Sequence, residues 1–178
     1  MTSAIFQTEQ WVDTPLELAF RFFAQPGNLE KISPHWSGAR LLGAKLVPPS
    51  VASARPRDAN VEKLAGAGSE IVVSFFLLPY IPITNSWTAR VVEFEWNRYF
   101  RDIQIKGPFM QFDHTHSFEQ AGQNGHSGTL IRDTIRYHLG FGALGKLLDD
   151  TIVRFQLSAM FRYRQRATAR ILARGENG

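Results

Sequence analysis

There is no cysteine among the 178 residues. Disulfide frameworks, thiolate metal sites, cysteine nucleophiles and thiol redox chemistry are excluded together. The absence agrees with a reducing compartment. Long hydrophobic runs are missing as well. The most apolar stretch, Ile71 to Ile83, has 13 residues and contains Pro79 and Pro82, whereas a bilayer span needs about 20. The start, Met1-Thr2-Ser3-Ala4, lacks the basic region and apolar run of a secretory leader. A cytoplasmic chain with no stable membrane insertion is the expectation.

Gly-x-Ser-x-Gly is missing, and no serine stands in a triad context. The segment Gly140-Phe141-Gly142-Ala143-Leu144-Gly145 has the G-x-G-x-x-G spacing. It follows the last strand of the β-rich region, and no further β-α-β unit comes after it, so a dinucleotide site is not expected. No cofactor is expected.

What is abundant is aromatic surface: 14 Phe, 4 Trp and 4 Tyr. That much apolar area excludes a disordered chain. At this length roughly 70% of the unfolded surface can be buried without a covalent or metal staple. One domain over 1–174 is expected, with 175–178 a frayed tail.

Charge is moderate and localised. Lys and Arg number 20 against 16 Asp and Glu, a net +4. Residues 144–178 hold Lys146, Arg154, Arg162, Arg164, Arg166, Arg170 and Arg174 against Asp149, Asp150 and Glu176, so this segment carries the whole excess. A basic helix can meet nucleic acid or an anionic membrane. Without a recognisable nucleic-acid module, a solvated helix face is the better reading, and no nucleic-acid partner is expected.

The chain opens with a strand over 4–12. Thr14-Pro15-Leu16-Glu17 has the form of a capping box, and Leu16, Ala19, Phe20 and Phe23 then share one helical face. Pro26-Gly27 stops this helix, and Asn28 is placed to cap a second short one ending by Pro34. Residues 39–47 suit another strand. Residues 46–68 read as a long loop insertion. Five strands follow: Ile71 to Leu78, Ser86 to Phe94, Tyr99 to Lys106, Phe109 to Glu119 and Thr129 to Leu139. Their short connections favour antiparallel neighbours. From Ala143 to Ala173 there is no proline, and a helix of about 30 residues is expected. Leu144, Leu148, Ile152, Phe155 and Ala159 make one stripe on it. The pattern is α+β: a curved antiparallel sheet of about seven strands around a long C-terminal helix, with two short helices after the first strand.

Residues 107–119 are the most informative. On a strand, Met110, Phe112, His114, His116 and Phe118 share one face. On the next strand Ile131, Asp133, Ile135 and Tyr137 do the same. Pairing Phe118 with Ile131 would place His116 opposite Asp133 and His114 opposite Ile135. A buried carboxylate needs a partner, so a His116–Asp133 contact makes physical sense. Three readings stay open: a polar network that fixes the sheet, polar contacts for a ligand in an apolar cavity, and a His116–Asp133 acid–base pair. Metal binding is set aside, because there is one H-x-H pair only and Glu119 falls on the opposite face. Trp87, Phe75, Phe94 and Phe100 suit a core as well as a cavity wall. Trp36, just after Ser33-Pro34-His35, is placed to cover an opening.

These residues resemble the START-like, or SRPBCC, helix-grip superfamily, and within it bacterial polyketide cyclase/dehydrase-like ligand-binding proteins. The resemblance is carried by Pro15 to Phe23, Pro26 and Asn28 to Pro34. It continues through Trp87-Thr88-Ala89-Arg90, Phe100-Arg101-Asp102, Gly107-Pro108-Phe109, His114 to Phe118 and Gly128 to Asp133. Tyr137, Phe141 to Gly145 and Phe161-Arg162-Tyr163-Arg164 complete it. It implies an internal cavity for a hydrophobic or amphipathic small molecule such as a lipid, quinone or polyketide. Binding or transport is the expected role. The alternative is a cyclase, dehydratase or hydrolase using His116 and Asp133. The candidate ligand contacts are Trp87, Phe112, His114, His116, Phe118, Asp133, Ile135, Tyr137, Leu148 and Ile152. A ligand is expected to enter beside 46–68 and the turn Pro79–Asn85, closed by the N-terminal part of the last helix. Two readings of the apolar stretch Leu78 to Ile83 stay open: that it covers the mouth and makes transient membrane contact, or that Tyr80 and Ile81 pack on the long helix and never open. The sequence sets no oligomeric state.

Overall fold

The computed structural model describes residues 3–50, 61–78, 81–139 and 152–175. Seven strands form one antiparallel sheet: β1 (Ala4–Val12), β2 (Arg40–Lys45), β3 (Glu70–Leu78), β4 (Ile81–Glu95), β5 (Tyr99–Lys106), β6 (Gln111–Gln123) and β7 (His126–His138). Their order is β1-β7-β6-β5-β4-β3-β2. Every neighbouring pair except β1–β7 is consecutive in the chain, so the sheet is a meander whose last strand is joined by the first. Helix α1 (Leu16–Ala24) follows β1, and helix α2 (Arg154–Ala173) comes after β7. Together they make the α+β, helix-grip architecture of the sequence reading. Among the described residues no helix is long and apolar enough to cross a membrane.

The β6–β7 hairpin turns through Asn124 (φ 52°) and Gly125 (φ 80°). Left-handed backbone at both central residues twists the turn in the sense of the strands, which is why Asn-Gly suits a two-residue hairpin. The strands therefore run to the turn itself, instead of stopping at Glu119 and restarting at Thr129. Phe118 pairs with Ile131, His116 with Asp133 and His114 with Ile135, the register expected from the alternation. Near the start of β7, Gly128 packs directly against β1. A Cβ there would collide with the Val12 carbonyl and the Trp11 indole.

Several expectations change. The capping box does not form: Pro15 occupies the N-cap of α1 without a side-chain cap, and Thr14 instead accepts the Thr129 hydroxyl on its carbonyl at 2.7 Å. The second short helix is replaced by 3-10 turns at Pro26–Asn28 and His35–Ser37. Asn28 caps nothing; its amide donates to the Phe22 carbonyl at 2.9 Å and ties the turn back to α1. The later part of the expected loop 46–68 belongs to the core. Val61, Leu64 and Ala65 are buried, and the Ala65 N–H donates to the Ala24 carbonyl at 2.8 Å. Strand β4 begins at Ile81, so most of the expected Pro79–Asn85 turn is strand.

The helical stripe also differs. Phe155 is 68% exposed, while Phe161, Thr168 and Leu172 are buried. The inward face runs through Leu157, Phe161, Arg164, Thr168 and Leu172, spaced by four, three, four and four residues. It lies on the far side of the helix from Phe155. Leu144, Leu148, Tyr80, residues 51–60 of the loop and the Gly-rich segment at 140–145 fall outside the described residues.

Among the described residues, two apolar clusters divide the interior. The larger centres on Phe20 of α1, which is fully buried and meets the rings of Phe94, Trp96, Phe100 and Phe118 at centroid distances of 5.1–5.9 Å. The smaller gathers Phe112, Ile135, Tyr137 and Phe161. Replacing Phe20 by Ala removes four ring contacts at once. The expected cost is about 3–5 kcal/mol, measurable as a fall in the urea midpoint with an unchanged slope.

Candidate functional site

A cavity of about 650 Å³ lies between α2, α1 and the concave face of the sheet. Alternation places its walls. Ile71, Val73 and Phe75 face it from β3, and Trp87, Ala89 and Val91 from β4. From α2 and the residue before it come Val153, Gln156, Leu157, Met160, Phe161 and Arg164, on one helical face. Trp36 and Phe109 also line it, so the aromatic after Pro34 does reach the cavity. The lining is mostly apolar.

Its polar part is compact. Asp102 of β5 is paired directly with His114 of β6, and His116 lies two residues along the same face. All three line the cavity. Asp133 of β7 sits behind them, 6% exposed. One of its oxygens, Oδ1, is 3.0 Å from His114 Nε2 and 2.7 Å from His116 Nδ1. The first contact has hydrogen-bond geometry. The second is close but off the hydrogen-bonding line, which leaves His116 Nδ1 without an aligned partner. The two imidazole centroids are 3.9 Å apart, and His116 packs on the Phe100 ring at 4.5 Å.

The electrostatics separate the two carboxyl groups. Burial alone would raise the Asp133 carboxyl, but His116 and the contacts from both imidazoles overcome it and hold the group well below the usual carboxylate range. Asp102 has no such contacts. Burial pushes it up to about 6, opposed by the His114 imidazole when that is protonated and by the Arg164 charge. Burial and the neighbouring His116 depress His114, so this imidazole is neutral at physiological pH. Ionised Asp133 accepts the Nε2–H of His114, which turns the other ring nitrogen into a lone-pair acceptor.

Of the sequence candidates, Trp87, Phe112, His114, His116, Ile135 and Ile152 line the cavity. Phe118, Asp133 and Tyr137 are buried but stand behind the wall: Phe118 in the Phe20 cluster, Tyr137 against Phe112 and Phe109. Leu148 lies outside the described residues. Asp102, Arg164, Gln156 and Met160 line the cavity without being among those candidates. Asp102 shares strand parity with Phe100, and that was the available signal. The expected lone H-x-H pair gains a third donor here, since ligating atoms of Asp102, His114 and His116 lie within 4.8 Å of one another.

The family model for polyketide cyclase/dehydrase and lipid transport proteins matches residues 12–161. Among curated proteins, none matches the sequence significantly. Solved structures share the fold at low identity. TTHA0849 from Thermus thermophilus has a TM-score of 0.56 at 15% identity, with 93% of this chain and 97% of that one covered. CV1439 from Chromobacterium violaceum gives 0.61 at 13% over 94% and 96%. Ara h 8.0201 gives 0.59 at 12% over 97% and 99%.

Two measurements check the site. Asp102 binds its proton more tightly folded than unfolded, so folding is favoured below its unfolded pKa of about 4 and penalised as pH rises through about 6. Asp102→Asn should therefore stabilise the protein at pH 7.5 by on the order of 2 kcal/mol and change little at pH 4. Asp133 has the opposite sign: its contribution is fully present above about pH 4 and is lost as pH falls below that. In a double-mutant cycle at pH 7, His114→Ala and Asp133→Asn should couple by about 1–3 kcal/mol; additive losses would contradict the shared carboxylate.

Proposed function

The chain belongs to the polyketide cyclase/dehydrase and lipid transport family, and from that premise we propose that it binds a hydrophobic or amphipathic small molecule inside the cavity. The observation that carries this reading is the cavity itself. About 650 Å³ is within the range that holds a drug-sized ligand. Apolar side chains from β3, β4 and α2 supply the burial, and a single polar patch on β5 and β6 supplies orientation. Burying an apolar ligand there contributes roughly 25 cal/mol per Å² before the costs of association. The side chains that make the ligand's contacts are Trp87, Phe112, His114, His116, Ile135 and Ile152, joined by Met160 and Phe161.

A second reading has one observation in its favour. Asp102 reaches the cavity with its pKa pushed up to about 6, next to a neutral His114. Such a pair is equipped to exchange protons with a bound carbonyl compound, as a cyclase or dehydratase requires. In this reading His116 and Asp133 change roles. Asp133 does not face the cavity and orients the imidazoles, whereas Asp102 and His114 face the ligand.

Native mass spectrometry of protein purified from its own host separates the readings. A carrier should release a co-purified apolar compound. In Ala89→Trp an indole fills the space lined by β4, and that compound should be lost while the thermal midpoint stays within a few degrees. If the purified protein carries nothing and turns over polyketide-like carbonyl compounds, with activity lost in His114→Ala, the enzyme reading replaces the carrier.

A further inference from the structure

Helix α2 and the turn after it carry six arginines: Arg154, Arg162, Arg164, Arg166, Arg170 and Arg174. Five of them are exposed, as a solvated basic face requires. Arg164 is the exception. It lies on the inward stripe between Phe161 and Thr168, lines the cavity, and is the one lysine or arginine among the described lining residues. Its guanidinium stacks on the Phe161 ring at 4.9 Å. Its Nε is buried with no hydrogen-bond partner. No carboxylate oxygen among the described residues comes within 4.0 Å of it.

A half-buried cation against an apolar wall, its Nε fully covered and without a counter-ion, is costly, and an arginine cannot escape the cost by releasing its proton. Two carboxyl groups act on it at longer range, Asp133 and Asp102. Neither closes an ion pair. Asp133 is committed to the two imidazoles at 2.7 and 3.0 Å. Asp102 is itself desolvated and sits on the cavity wall with no hydrogen bond to the guanidinium. The site therefore holds a fork of N–H donors and a positive charge that the described residues do not pair.

We propose that the cavity selects apolar monocarboxylic acids, the ligand's carboxylate pairing with the Arg164 guanidinium while its hydrocarbon part fills the aromatic chamber. This rests on the binding reading above. The planar guanidinium matches a carboxylate through two parallel N–H bonds. One cation in an apolar chamber suits a monoanion; a phosphate dianion would bring a second charge that no described lining lysine or arginine meets.

The test uses a matched pair of probes, 11-(dansylamino)undecanoic acid and its carboxamide, followed by dansyl fluorescence on the full chain. The two share a hydrocarbon and a fluorophore and differ only in charge. Wild-type protein should bind the acid at least about tenfold more tightly than the amide at pH 6.5. Arg164→Gln should weaken the acid by about tenfold or more and leave the amide within about twofold. Equal binding of acid and amide by the wild-type protein overturns the inference and leaves the binding reading standing. An equal loss of both probes in Arg164→Gln overturns it too, since that is the result of a merely structural arginine. If neither probe binds, the binding reading falls and this inference falls with it.

Discussion

Asp133 accounts for more of this structure than any other polar group. It is a carboxylate with 6% exposure inside a curved sheet, and its cost is met by two imidazoles on the neighbouring strand. A slip of β7 by one residue against β6 would turn Asp133 to the outer face, away from His114 and His116, and carry Thr134 and Arg136 inward. The apolar partners Phe118–Ile131 and Phe112–Tyr137 favour the same register. The ion pair of Arg132 with Glu119 crosses from β7 to β6 on the opposite face and favours it as well. The hairpin therefore meets one set of constraints from both sides. The inner set also decides where the cavity's polar patch lies.

The cavity is the space left where two apolar clusters do not meet. The C-terminal half of α2 packs through Ala167, Thr168 and Leu172 near α1 and the Phe20 cluster. Its N-terminal half presents Gln156, Leu157, Met160, Phe161 and Arg164 to open space. Phe20 fills the interior at one end with ring-on-ring contacts, and Trp87, Phe109 and Phe112 wall the other, Trp87 and Phe112 meeting edge to face at 4.3 Å. A single helix cannot cover a seven-stranded curved sheet along its whole length, because the curvature opens the distance between them. The protein keeps that space lined with aromatic and aliphatic groups and concentrates its titratable groups on one wall.

Alternation along β6 and β7 was readable in the chain. It put His114, His116, Phe112 and Phe118 on one face and Asp133 opposite His116, and the structure agrees. It could not say which of these inward groups touch the cavity and which stand behind it. Phe118, Asp133 and Tyr137 point inward like His114, yet neighbours from α1 and the adjacent strands cover them. Parity with Phe100 put Asp102 on the inward face, but its pairing with His114 was not legible, because that depends on how the chain passes Gly107-Pro108 between β5 and β6, and turn length there leaves more than one register open. Arg164 was hidden in a run of arginines. Its difference from Arg162 and Arg166 is one of helical phase.

By itself, then, the amino-acid order determined the elements and their sides. Period-two alternation set the strand faces, Asn124-Gly125 set the hairpin turn, and the absence of proline after Gly142 allowed the last helix. Tertiary structure alone decided which stripe of that helix turns inward. The apolar positions Ile152 and Phe155 suggested one face, but the helix docks through Leu157, Phe161, Thr168 and Leu172, which are the ones that meet the curved sheet. Helical phase against a partner surface is a property of the pair of surfaces. A sequence read one segment at a time holds only one of them, so Phe155 in solvent and Arg164 in the cavity were both settled by packing.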